Sequence, residues 1–266
     1  MQDATKIVLA STQSSVKDAV CYNVDPASFP AGLCVSMAST GLPSLLKSAG
    51  MRMGVSLGRS LSDHKKTAVL RAGLKVPVRA SLKRSTGSIV ITNFANLVSG
   101  TDDSITVGAT VFTAQAGAAT PGAATFQAAS SNNATATSLA TQINAHATAS
   151  TLVYAVASSA TVTLYAVVEG AGTGHDVALA YTDNDTNVGA TVSGAALSGG
   201  SNTISDIAYI AKGAKMYIND VTGKADIAMS GFSTISDAMY VSEELTGIDE
   251  DGSEVAAVLV DMQGSL

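Results

Sequence analysis

The chain has 266 residues, 46% hydrophobic, 5% aromatic and 14% charged, with 24 Gly, 5 Pro and no Trp. Globular chains average about 25% charged residues, so Ala, Ser, Thr, Gly and Asn must cover much of the surface, a texture suited to β structure held in an assembly. The hydrophobic fraction excludes general disorder, no run of about eighteen apolar residues is present to span a membrane, and the start Met1-Gln2-Asp3-Ala4-Thr5-Lys6 lacks the pattern of a signal peptide.

Charge is partitioned along the chain. Residues 1–85 carry twelve Lys/Arg against four Asp, net +8, while residues 86–203 carry six acids and no Lys or Arg, net −6. Residues 204–266 carry three Lys against eleven acids, net −8. Such asymmetry can mark a nucleic-acid or membrane contact, but the acidic last third already supplies a partner for the basic first third. The two flanking segments are therefore expected to meet, within one protomer or between neighbours. The basic patch Arg59, Lys65, Lys66 and Arg71 would lie near Glu243, Glu244, Asp249, Glu250 and Asp251. That patch has no interleaved aromatics of the kind that stack on bases, so no nucleic-acid partner is expected.

In chain order, the first flank reads as short strands between glycine turns: Ala31-Gly32-Leu33-Cys34-Val35-Ser36, the turn Thr40-Gly41, Met53-Gly54-Val55-Ser56-Leu57, and the closing stretch 66–73. Cys21 and Cys34 are the only cysteines, which excludes a four-cysteine zinc site and a disulfide-dense scaffold. Both are expected to be reduced and buried. Around residue 86 the composition shifts to Ala, Thr, Ser, Gly, Asn and Val. Ser85-Thr86-Gly87-Ser88 and Ser198-Gly199-Gly200-Ser201-Asn202 read as flexible joints, marking residues 86–203 as an inserted domain.

Within the insert, Ser88-Ile89-Val90-Ile91-Thr92, Ser104-Ile105-Thr106-Val107, Thr110-Val111-Phe112-Thr113, Val153-Tyr154-Ala155-Val156-Ala157 and the run 161–167 are β-branched or aromatic, and predict strands. Asp102-Asp103, Gly108-Ala109 and Ser158-Ser159 supply turn chemistry. One helix is predicted, capped by Asn132 or Asn133, with Ala136, Leu139, Ala140 and Ile143 on one apolar face. The last flank, from Lys212-Gly213-Ala214-Lys215-Met216-Tyr217 through Thr222-Gly223 to the stretches 237–241 and 253–260, repeats the element order of the first. The fold expected is mainly β: a small barrel or meander lobe from residues 1–85 and 204–266, with a β-rich insert carrying one helix.

Three motifs invite chemistry. Gly54-Val55-Ser56-Leu57-Gly58 matches the nucleophile-elbow pattern, but the charged stretch after it is no helix with an apolar face, and a strand is the better reading. Gly170-Ala171-Gly172-Thr173-Gly174-His175-Asp176 lacks the Lys-Ser/Thr and the helix of a phosphate loop, and reads as a loop between strands. Asp183-Asn184-Asp185-Thr186-Asn187 offers oxygens at alternate positions, as calcium loops do, without the glycine and distal Glu of an EF-hand, and reads as an Asx-rich turn. Three histidines and two cysteines give no transition-metal cluster.

Two parts of the chain resemble proteins of tailed bacteriophage particles. The stretch Met53-Gly54-Val55-Ser56-Leu57-Gly58-Arg59-Ser60-Leu61-Ser62-Asp63, running into Thr67-Ala68-Val69-Leu70-Arg71-Ala72-Gly73-Leu74-Lys75-Val76-Pro77-Val78, resembles head decoration (cement) proteins, as does the last third with Lys212-Gly213-Ala214-Lys215-Met216-Tyr217 and Thr222-Gly223-Lys224. The insert, from Asp103-Ser104-Ile105-Thr106-Val107 through Ala140-Thr141-Gln142-Ile143-Asn144-Ala145-His146 to Leu197-Ser198-Gly199-Gly200, is similar to β-rich modules of phage structural proteins.

The resemblance implies a non-enzymatic virion protein, assembled in the host cytoplasm, that binds and stabilises the capsid exterior. Its partners would be the major capsid protein and copies of itself, as a trimer rather than a dimer; it would have no cofactor, no membrane contact, and no catalytic or metal residues. Two other classes stay open: a tail-tube or baseplate component, and an adhesin recognising host-surface carbohydrate. For the adhesin the insert offers Phe94, Phe112, Phe126, Tyr154, Tyr165 and Tyr181, most of which alternate with polar residues and are expected in the core.

Overall fold

The computed structural model describes residues 7–8, 19–23, 34–37, 43–44, 52–59, 66–70, 73–203, 217–218, 222, 224–226, 233–234, 239–248 and 254–262. The chain is mainly β and divides into two compact units, Met1–Leu82 with Thr203–Leu266, and Lys83–Asn202.

Three open sheets are described in the unit built from both chain ends. One comes wholly from the first flank, in the order Ala19–Asn23, Lys66–Leu70, Arg52–Arg59, Cys34–Met37, Pro43–Ser44. A second runs Ile7–Val8, Met239–Ile248, Glu254–Met262, Gly73–Arg79, and so joins the two flanks within one protomer, with Ile7 opposite Gly247 and Val78 opposite Val258. The third runs Ala225–Asp226, Tyr217–Ile218, Ser233–Thr234. No barrel closes among the described strands. The flanks do not share a pairing scheme: the described strands between residues 19 and 70 pair among themselves, while those at 239–248 and 254–262 take partners from 7–8 and 73–79. Cys21 and Cys34 lie in strands separated by two others. Three interstrand spacings of about 4.8 Å put them about 14 Å apart, beyond disulfide reach.

Within this unit, a buried seam ties residues 80 and 81 of the first flank to the last flank. Ala80 N donates to Ala256 O (2.9 Å), Ser81 N donates to Ala225 O (2.8 Å), and Ser81 Oγ donates to buried Asp226 Oδ2 (2.6 Å).

The insert's strands are β1 (Thr86–Ile91), β2 (Ser104–Val107), β3 (Thr110–Gln115), β4 (Thr125–Gln127), β5 (Val153–Ser158), β6 (Thr161–Ala166), β7 (Leu179–Thr182) and β8 (Ala190–Val192); its helices are α1 (Asn132–Ala145) and the single turn α2 (Ala149–Leu152). They form two sheets, β4-β3-β2-β7 and β5-β6-β1-β8, antiparallel except for β3 with β4. Strand alternation sends Ile105, Val107, Phe112, Phe126 and Leu179 from one sheet, and Ile89, Ile91, Val162 and Leu164 from the other, into a single core. Ala136, Leu139, Ala140 and Ile143 of α1 complete it, as their helical spacing predicts. Gly108 (φ 61°) turns β2 into β3 and Ser159 (φ 53°) turns β5 into β6. The cap differs from expectation: Ser131, not Asn132 or Asn133, accepts from Ala134 N (3.2 Å), leaving the Asn132 amide to accept from Phe94 N (2.8 Å) and donate to Thr92 O (2.9 Å).

Helix α1 also covers both sheet edges beside it. β5 ends one sheet and β4 ends the other, and an open edge exposes unpaired backbone groups. The Asn144 amide accepts from Ala155 N and donates to Ala155 O on β5, each at 2.8 Å. Ser138 Oγ accepts from Gln127 N on β4 (2.9 Å), and Gln142 Oε1 from Gly122 N in the loop before it (3.1 Å).

Entry and exit of the insert are paired rather than flexible. Thr86 N donates to Ser198 O (2.8 Å), Ser198 N to Thr86 O (2.9 Å) and Ser201 N to Lys83 O (3.0 Å), so residues 86–88 are strand, not linker. Arg84, 4% exposed, donates to the carbonyls of Ala166 (3.1 Å) and Val167. The Asn202 amide bonds both ways with the Ala171 backbone. Gly200 is required by close approach, because a Cβ there would meet Ser85 Oγ at 2.6 Å and Ser85 N at 3.0 Å.

Two substitutions test this account by chemical denaturation. Asn144→Ala strands both Ala155 backbone groups and should cost about 1–3 kcal/mol. Thr141→Ala, an exposed position on the same helix whose hydroxyl bonds only Thr137 O, should stay within about 0.5 kcal/mol; equal effects would contradict the edge-covering role.

Candidate functional site

The residues singled out by charge fall in the unit built from the chain ends. Arg59 and Lys66 lie on strands of the five-stranded sheet, Glu243 and Glu244 on the strand Met239–Ile248 of the four-stranded sheet. Lys65, Arg71, Asp249, Glu250 and Asp251 lie outside the described residues. The backbone thus brings the oppositely charged flanks into one unit.

The nucleophile-elbow pattern lies entirely inside the strand Arg52–Arg59, without the strand-to-helix turn that exposes such a serine. The glycine-rich stretch 170–176 is a loop between β6 and β7, pinned by a 2.9 Å contact between His175 Nδ1 and Gly170 O. His146 Nδ1 accepts from Ala149 N at 3.3 Å at the start of α2, and its ring packs edge-on to Phe112 with centroids 5.4 Å apart. His64 lies outside the described residues.

The densest polar constellation described in the insert is one the sequence scattered. Asp103, expected in a turn, is fully buried at the head of β2, where its backbone is fixed by Leu97 O and Ala114 N (both 2.9 Å). Its Oδ2 accepts from Tyr181 Oη (2.5 Å) and its Oδ1 from Asn184 N (2.9 Å). Tyr181 in turn accepts from Gly189 N (2.8 Å), and a Cβ on Gly189 would meet Leu97 N at 2.9 Å. In the loop after β7, Asp183 Oδ1 accepts from Asp185 N (3.0 Å) and Thr186 N (2.9 Å), and Asp185 Oδ1 from Asn187 N (2.7 Å). This is the Asx-rich turn read from the sequence, but folded against Asp103. One carboxylate oxygen from each of Asp103, Asp183 and Asp185 lies within 4.8 Å of the others.

Burial, then the hydrogen bond to Asp103, pushes the Tyr181 hydroxyl up to about 12. The Asn187 backbone N–H holds Asp185 below the usual carboxylate range. Local sequence signals only the Asx-rich turn 183–187 of this site; its joining to Asp103 carries no local signal, since Asp103 and Tyr181 are 78 residues apart.

The aromatic residues divide differently from expectation. Phe112 and Phe126 are core, but Tyr154 and Tyr165 are only half-buried, alternate away from the core, and stand directly opposite each other on β5 and β6.

The raised Tyr181 value sets a pH window. The bonded form is the neutral phenol, so its stabilisation is complete below pH 10, the ordinary tyrosine value, and is lost as pH rises toward about 12. Absorbance at 295 nm should show one tyrosine ionising about two pH units late, and Tyr181→Phe should abolish that step. A late step surviving in the variant would contradict the assignment.

Comparison with known proteins assigns no family: no family model matches the chain, and neither a curated protein nor a solved structure does.

Proposed function

We propose that this chain is a non-enzymatic structural protein of a tailed bacteriophage particle that binds and stabilises the assembled head from outside. The sequence resemblance to decoration proteins is the starting point. The single structural observation that supports it is the doorway of the insert, where residues 83–86 pair with 198–201. A domain entered and left at one place can be carried on a lobe without interrupting it. In this reading the lobe made from both chain ends grips the major capsid protein, with copies of the chain associating as trimers, and the insert projects outward. Stabilisation acts by mass action, because a ligand that binds only the assembled lattice shifts the equilibrium toward it. The flanks' opposite charges set register and discourage wrong contacts.

A second reading, recognition of host-surface carbohydrate by the insert, is favoured by the opposed Tyr154 and Tyr165 on an outer sheet face. Electron microscopy of particles containing the chain tests the first reading. Density on the head exterior is the expected result, and density confined to the tail would overturn it. Intact, decorated heads that lose host adsorption on Tyr154→Ala and Tyr165→Ala would add the carbohydrate role to it.

A further inference from the structure

Building on the carbohydrate reading of the insert, we propose that Tyr154 and Tyr165 are the platform of a site for an uncharged glycan, laid across the outer face of the sheet β5-β6-β1-β8. The two residues stand directly opposite each other on neighbouring strands, so their Cβ atoms lie about 4.5–5.5 Å apart. Their strand neighbours Val153, Ala155, Leu164 and Ala166 are buried in the core, and alternation therefore turns both rings outward. Both stay half-exposed.

The polar groups of this face are uncommitted. The Tyr181 hydroxyl is bonded to Asp103 and Gly189, whereas no hydrogen bond ties the hydroxyl of Tyr154 or Tyr165 to another described residue. Thr86 continues the row from Tyr165 onto β1, and Thr163 with Ser88 forms the next row. All three are at least partly exposed. A pyranose ring has apolar C–H faces and a rim of hydroxyls. Aromatic rings with a polar tip suit the first, and hydroxyls that both donate and accept suit the second.

Charge decides the class of sugar. No residue of these four strands is charged, and residues 86–203 carry six acids with no Lys or Arg. Of the two cations just before β1, Arg84 is buried against the carbonyls of Ala166 and Val167, and only Lys83, outside the four strands, is exposed. Sugars bearing carboxylate, phosphate or sulfate would therefore meet an acidic domain without the cations that recognise such groups, and so would a nucleic acid. Protein partners favour an apolar centre depleted in Ser, which a face lined by hydroxyls does not present. A neutral hexose polymer satisfies rings and hydroxyls together and asks for no charge.

The test uses the full chain and a panel of soluble hexasaccharides: neutral ones built from glucose, galactose and N-acetylglucosamine, and an anionic one built from galacturonic acid. Calorimetry gives the affinity, and because the chain has seven Tyr and no Trp, tyrosine fluorescence reports contact with the rings. Saturable binding of at least one neutral hexasaccharide, with a change in fluorescence, is expected, and no binding of the anionic one. Tyr154→Thr and Tyr165→Thr keep strand propensity but remove a ring, and each should weaken binding at least tenfold. Val111→Ala, at an exposed position on the other sheet, should leave it unchanged. Binding of the anionic hexasaccharide alone, lost in the two threonine variants, would overturn the neutral class while keeping the carbohydrate reading of this face. Neutral binding that leaves fluorescence unchanged, or that is undiminished in both variants, would overturn the site. A dimer that the same variants dissociate would give the face to a second copy of the chain and overturn it too. Binding of no hexasaccharide would overturn the site and the carbohydrate reading together.

Discussion

A sandwich of two short sheets has open edges, and the way this insert covers two of them organises the rest of it. The edge strands β4 and β5 belong to different sheets, and α1 lies against both. Leu139 and Ile143 bury into the shared core, while Ser138, Gln142 and Asn144 bond backbone atoms of β4, its preceding loop and β5. One helix therefore supplies apolar area and edge protection together. That is why it is polar for a core helix: a wholly apolar helix would fill the core and leave the edge N–H groups unpaired.

The same economy explains the composition. With no Lys or Arg between residues 86 and 203, the loops of the insert are held by short side chains bonded to backbone: Asn132 to Thr92 and Phe94, Asn202 to Ala171, Asp183 to Asp185 and Thr186. Small polar residues serve because they lose little side-chain entropy when ordered. The cost appears at Asp103, where a buried carboxylate anchors Tyr181 and Asn184 and gathers two further acids around it.

Legibility followed the range of the forces involved. α1 was readable because its four buried positions recur at helical spacing, and β2 because four β-branched or small residues stand between turn residues. β4, β7 and β8 were not, since Thr-Phe-Gln, Leu-Ala-Tyr-Thr and Ala-Thr-Val are too short to carry a period and become strands only through their partners. Thr86-Gly87-Ser88 looked like a linker by composition, but tertiary pairing with residues 193 and 198 makes it strand. The short helix α2 is illegible for the same reason: a single turn has no periodicity to read. Asp103 shows the limit most clearly. Beside Asp102 it reads as turn chemistry, and only the return of the chain at Tyr181 and Asn184 turns it into a buried anchor.

These observations converge on the insert as a self-contained body, with its own core, its own edge protection and a doorway closed by its own hydrogen bonds. Native-state hydrogen exchange on the whole chain, followed across increasing denaturant, measures this directly. The amides of Thr86, Ser198 and Ser201 at the doorway should lose protection together with core amides such as Leu164, in a transition separate from that of the flanking strands carrying Val78 and Val258. Doorway amides that open with the flanking strands while the insert's core stays protected would contradict the account.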